Sequence, residues 1–107
     1  MQVAQLNVPA YDNDGVMIPH VAEEAKRMLC RTFGGFTALP AQGGWLDLDT
    51  GKVQMEPMHV LQVSMDVSST NEDTLRDIAR MVAREANQKV VYVVHANGHT
   101  ELVSQGV

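Results

Sequence analysis

Gly34-Gly35-Phe36-Thr37 and Gly43-Gly44-Trp45 place four glycines and two large aromatic residues within twelve positions. Bare backbone lets a ligand or another chain approach closely, and Trp45, the only tryptophan, adds broad apolar area. The same residues would also serve as a helix cap, an edge bulge and a core anchor. Gly43, Gly44 and Trp45 are therefore candidate ligand or subunit contacts.

The other chemistry-bearing residues are less promising. In a two-residue Asn97-Gly98 hairpin, His95 pairs with Thr100 and Ala96 with His99, so the imidazoles of His95 and His99 face opposite ways and cannot share a metal. His59 falls in register with Leu61 and Val63 at the rim of the core. His20 lies at a helix N-terminus, where the dipole disfavours its protonated form. Asp12-Asn13-Asp14-Gly15 opens like a calcium loop, but its glycine comes too early and the required glutamate is missing. Cys30, more than two turns from the helix start, reads as a small buried hydrophobe rather than a nucleophile. Asp47, Asp49 and Glu56 near a hairpin tip read as solvated surface. No metal or cofactor is expected, and no base and nucleophile pair stands out.

The elements that must position these residues follow from hydrophobic period. Ala4, Leu6 and Val8 alternate with polar residues as a strand that Pro9 ends. Pro19 suits the first position of a helix running to Phe33, its apolar positions Ile18, Val21, Ala22, Ala25, Met28, Leu29, Thr32 and Phe33 recurring at three and four residues, with Gly34-Gly35 as its stop. Phe36 to Leu48 reads as an irregular edge strand broken by Pro40 and Gly43-Gly44. Asp49-Thr50-Gly51 turns the chain into a strand whose His59, Leu61, Val63, Met65 and Val67 share a face. Thr70 is the expected N-cap of a second helix whose apolar stripe is Leu75, Ile78, Ala79, Val82 and Ala86 and which ends near Asn87. Val90 to Ala96 and His99 to Val103 complete the chain as a hairpin.

Strand, helix, two strands, helix, strand specifies one ferredoxin-like α+β domain over residues 1–107, an antiparallel sheet with both helices on one face and an extra C-terminal strand. The expected core holds Leu6, Val8, Ala25, Leu29, Leu61, Val63, Ile78, Val82 and Val93. The opposite face presents Gln5, Asn7, Val60, Gln62, Ser64, Tyr92, Val94 and Glu101. From it Asn7, Gln62, Tyr92 and Val94, together with His99, join the ligand or interface candidates, because a mixed apolar face favours a partner.

Composition narrows the classes. A formal charge of −5 with eight basic residues opposes a phosphate-backbone partner. No apolar run reaches membrane-spanning length, the N-terminus lacks the pattern of a secretory signal, and a single cysteine cannot form an internal disulfide. The expected setting is the cytoplasm, without nucleic acid or membrane.

The leading strand, acidic turn, helix ending in Gly34-Gly35-Phe36-Thr37, and strand with Gly44-Trp45 resemble short proteins of phages and other mobile elements over residues 1 to about 65. That resemblance implies the ferredoxin-like fold and an accessory or anti-defence role, and it brings no catalytic residues. Two function classes follow. The first is a noncatalytic homo-oligomer binding a protein partner or small ligand on the open face or Gly-rich edge. The second resembles the dimeric α+β barrel enzymes, with a pocket between facing sheets where His59, His99, Gln62 or Asn7 assists proton transfer.

Overall fold

The computed structural model describes residues 1–106. Strands β1 (Gln2–Pro9), β2 (Thr37–Leu46), β3 (Val53–Met65), β4 (Val90–Val94) and β5 (Thr100–Ser104) form one sheet of order β2-β3-β1-β4-β5, every pairing antiparallel. Helices α1 (Pro19–Phe33) and α2 (Ser69–Glu85) cover one face. This is the expected α+β plan with its extra strand.

Proline and glycine set the bounds of α1. Pro19 occupies the first turn, and Gly34 closes the helix in the left-handed conformation, φ 94°, donating its N–H to Cys30 O at 2.9 Å. Val21, Ala22, Ala25 and Leu29 face inward. Cys30, the next residue round, is exposed, so the expectation of a buried thiol is corrected. The N-cap of α2 lies two residues before the expected Thr70, because Ser68 caps the helix and accepts from Asn71 N at 3.0 Å. Asn71 Nδ2 also donates to Asp66 O at 2.8 Å, which fixes the entry of the chain.

The core lies between helices and sheet, with Leu6, Leu29, Leu61 and Leu75 fully buried. Truncating any of them to alanine costs about 2–5 kcal/mol. All nine expected core residues are buried.

The C-terminal hairpin differs from the two-residue turn the sequence suggests. Such a turn needs positive φ at both Asn97 and Gly98, and only Gly98 has it, at 88°. His95 N instead donates to His99 O at 2.7 Å and Gly98 N to His95 O at 2.8 Å, which makes Ala96-Asn97-Gly98 a three-residue loop. Val94 consequently pairs with Thr100 and Val93 with Glu101. Glu101 thus lies on the helix side, not on the open face.

No residue of β2 is buried, and β3 carries no fully buried residue before Leu61. These strands project beyond the helix layer as a two-stranded arm. Trp45, Leu46, Leu48, Val53 and Met55 are each more than half exposed there.

Candidate functional site

Register places the open face. In an antiparallel ladder, directly paired residues share a face, so Trp45 and Gln54, Gly43 and Glu56, and Ala41 and Met58 stand together with Pro9 and Asn7. Strands β1 and β4 pair at only two positions, Gln5 with Val94 and Leu6 with Val93. Past Leu6 that ladder stops, and a groove of about 800 Å3 crosses the sheet there. Gly43, Gly44, Trp45, Glu56 and Met58 line its arm side, and Asn7 and Pro9 line it from β1. Gln88, Lys89, Val90, Tyr92 and Leu102 line the far side, with Asn13 reaching in from the loop before α1. The volume is that of a site for a small organic ligand.

Several local devices shape the groove. A Cβ on Gly43 would stand 2.8 Å from Met58 Sδ, so the missing side chain leaves room for Met58 to lie across the ladder. Asp12 Oδ1 accepts from the N–H groups of Asp14 and Val16, each at 2.9 Å, and folds the 12–16 turn that presents Asn13. Gln88 Nε2 donates to Asn13 Oδ1 at 3.2 Å, and Asn13 Nδ2 donates to Asn87 O at 3.0 Å. Asn7 accepts from Gln5 Nε2 at 3.1 Å through Oδ1, which leaves its own amide N–H groups toward the groove. Glu56 is the groove's acidic residue, half-buried beside Trp45 and Met58, and it forms no ion pair among the described residues. A carboxylate so placed favours a cation brought by a ligand.

Of the residues singled out from sequence, Asn7, Gly43, Gly44, Trp45 and Tyr92 meet in this groove. Gln62 lines a separate hollow of about 310 Å3 with Thr37, Phe36 and Ser64. Val94 is half-buried between Gln5 and Thr100 and lines neither cavity. His99 is exposed at the β4–β5 loop, outside both cavities. His59, paired with Val8 and Pro40, lies on the helix side. Sequence reading set Glu56 aside and did not single out Gln88. The signal for Glu56 was available, since counting back from the Asp49-Thr50 turn sets it opposite Gly43. Gln88 sits in the α2–β4 connection, which has no periodicity to read.

A second polar cluster lies beneath α2. His95, 1% exposed, meets Glu101 Oε1 through Nε2 at 2.9 Å, and Arg76 grips the same carboxylate through Nε and Nη2 at 2.9–3.0 Å. The bonds from Arg76 and then His95 hold the Glu101 carboxyl down at about 2. Asp73 accepts from Arg76 Nη1 at 2.7 Å. This cluster pins the hairpin to α2 and faces away from the groove. Among the described residues no group of three His, Cys, Asp or Glu side chains is placed to hold a metal ion, and no helix is long and apolar enough to cross a membrane.

No protein-family model matches the sequence. No curated protein matches it either. Solved structures do share the fold. A phage SAM lyase in complex with S-methyl-5'-thioadenosine superposes with a TM-score of 0.74 at 12% identity, over 95% of this chain and 88% of that one. A phage SAM lyase in its apo state gives 0.67 at 12% identity, over 95% and 87%. At this identity the likeness establishes a shared fold. The expectation of a noncatalytic accessory protein is corrected by these neighbours, both of which are structures of a phage SAM lyase, one of them holding S-methyl-5'-thioadenosine.

Proposed function

We propose that the protein is a small lyase that takes S-adenosylmethionine into the open-face groove and releases S-methyl-5'-thioadenosine. The observation that carries this reading is the half-buried, unpaired Glu56 in an otherwise largely apolar groove, on the fold of a SAM lyase. The bond between the sulfonium sulfur and the γ-carbon of the amino-acid chain breaks, and its electron pair stays on sulfur as a neutral thioether. The substrate's own α-carboxylate oxygen takes the place of sulfur on that carbon and closes a five-membered lactone, so carboxylate and sulfonium charges cancel and neither water nor a protein base is consumed.

This chemistry fits residues that offer no base and nucleophile pair. A neutral thioether leaves without a general acid, so the groove's task is to hold the chain, exclude water and favour loss of charge. Charge disappears between ground state and transition state, and apolar walls such as Met58, Val90 and Leu102 favour that change relative to water. Glu56 acts at capture, attracting the sulfonium and losing its hold once the product is neutral. Trp45 and Tyr92 offer faces on which a base can stack.

The groove is open along its outer side, and the arm beside it is bare. A second copy of the chain closing over it would give a symmetric oligomer with an enclosed site. The phage or mobile-element source and the cytoplasmic setting belong to the same reading, supported by the phage origin of the structural neighbours and by the exposed, unpaired Cys30. Incubation with S-adenosylmethionine and chromatography of the products tests the activity. S-methyl-5'-thioadenosine should accumulate well above a boiled-protein control, and its failure to do so refutes the assignment.

A further inference from the structure

Gln88 is held more firmly than a connecting residue needs to be. Its main-chain N–H donates to Ala83 O at 2.8 Å, its carbonyl accepts from Gln105 Nε2 at 2.8 Å, and its side-chain Nε2 donates to Asn13 Oδ1 at 3.2 Å. Asn13 is itself oriented, because its Nδ2 donates to Asn87 O, which leaves only Oδ1 to face Gln88. The clasp ties residues 75 positions apart across the end of the groove. It leaves one N–H of Gln88 and the oxygen Oε1 without a partner among the described residues, on a half-buried side chain lining the groove.

An amide edge offers a donor and an acceptor side by side. With Nε2 fixed by Asn13, that pattern complements the edge of adenine formed by its exocyclic amino group, which donates, and ring N1, which accepts, and it mismatches the same edge of a 6-oxo purine, where the oxygen accepts and N1–H donates. Val90 and Tyr92 follow on the next strand, two and four residues on, and Tyr92 lines the same wall. A base stacked there would have its edge toward Gln88, with Glu56 left for the charged end across the sheet. Pre-organisation by three hydrogen bonds lowers the ordering cost of reading that edge.

Resting on the adenosyl reading of the groove, we infer that Gln88, with Asn13 as its positioning residue, is the specificity determinant that selects a 6-amino purine over a 6-oxo purine. Calorimetric titration of the intact protein with S-methyl-5'-thioadenosine and with S-methyl-5'-thioinosine tests it. The wild-type protein should prefer the 6-amino nucleoside by about tenfold or more, the lower range of a paired amide contact. Gln88→Ala should bring the ratio to within about twofold, mainly by weakening the 6-amino ligand, and Asn13→Ala should lower it part of the way. A ratio of two affinities is insensitive to a general loss of folded protein. If Gln88→Ala does not fold, the exposed Asn13→Ala decides the matter. Binding with a ratio near one in the wild type, or with a ratio unchanged in the variants, overturns the role of Gln88 and leaves the adenosyl site standing. Failure of both nucleosides to bind overturns the inference and the adenosyl reading together.

Discussion

His95 Nε2 lies 2.9 Å from Glu101 Oε1, and the other ring nitrogen of His95, Nδ1, is buried with no partner among the described residues. Because Arg76 holds Glu101 ionised and a carboxylate only accepts, Nε2 is the donor in this contact. The histidine thus depends on one carboxylate for its only side-chain hydrogen bond. Glu101→Ala would strand His95 and leave Arg76 with Asp73 as its one remaining carboxylate. We expect a loss of about 2–3 kcal/mol in urea denaturation. Glu101→Gln, which keeps the shape and an acceptor oxygen, should lose less.

The same pair sets a pH dependence. The folded pKa of Glu101 is depressed from 4.5 to about 2, so its contribution to stability is fully present above the unfolded value and is lost as pH falls toward the folded one. Urea midpoints measured from pH 5 down to pH 2 should fall across that window. The fall should be shallower in Glu101→Gln, which has no proton to gain there. Parallel pH profiles for the two proteins would show that other carboxylates carry the acid sensitivity.

Why sequence reached some of this and not the rest is physical. Helix α1 was legible to the residue because Pro19 and Gly34 act locally, through a missing N–H and a positive φ. Residues Leu61 and Val63 were legible through alternation. Glu101 was not, because its side of the sheet depends on whether the hairpin loop holds two residues or three. That choice coincides with a long-range bond to Arg76, 25 residues away, which no local pattern announces. The groove was half legible for a related reason. Asn7, Gly43, Trp45 and Tyr92 come from three strands whose order decides that they meet, whereas Gln88 owes its place to a clasp with Asn13.

Glu56 offers a kinetic test of the proposed chemistry. If the carboxylate serves capture and not the bond-breaking step, Glu56→Gln should raise KM for S-adenosylmethionine about tenfold, the equivalent of ~1.4 kcal/mol, with kcat within a few-fold of wild type. Affinity for the neutral S-methyl-5'-thioadenosine should hardly change. A collapse of kcat at unchanged KM would place Glu56 in the chemical step instead.

The arm formed by β2 and β3 should be where copies of the chain meet. A two-stranded ribbon with apolar side chains on both faces is marginal alone in water, and Leu46, Leu48, Val53 and Met55 gain nothing from the core of their own molecule. Leu46 and Val53 are directly paired, 55% and 63% exposed, so replacing them with Lys and Glu removes apolar contact area while supplying an opposite-charge cross-strand pair. Light scattering of the wild-type protein should give a mass that is a multiple of 11.7 kDa, and Leu46→Lys/Val53→Glu should give a folded protein of monomer mass. The monomeric variant should also turn over S-adenosylmethionine more slowly, since its groove stays open to water. A wild-type protein that is monomeric at high micromolar concentration ends this assignment. A variant of unchanged mass would move the contact from the arm to another surface.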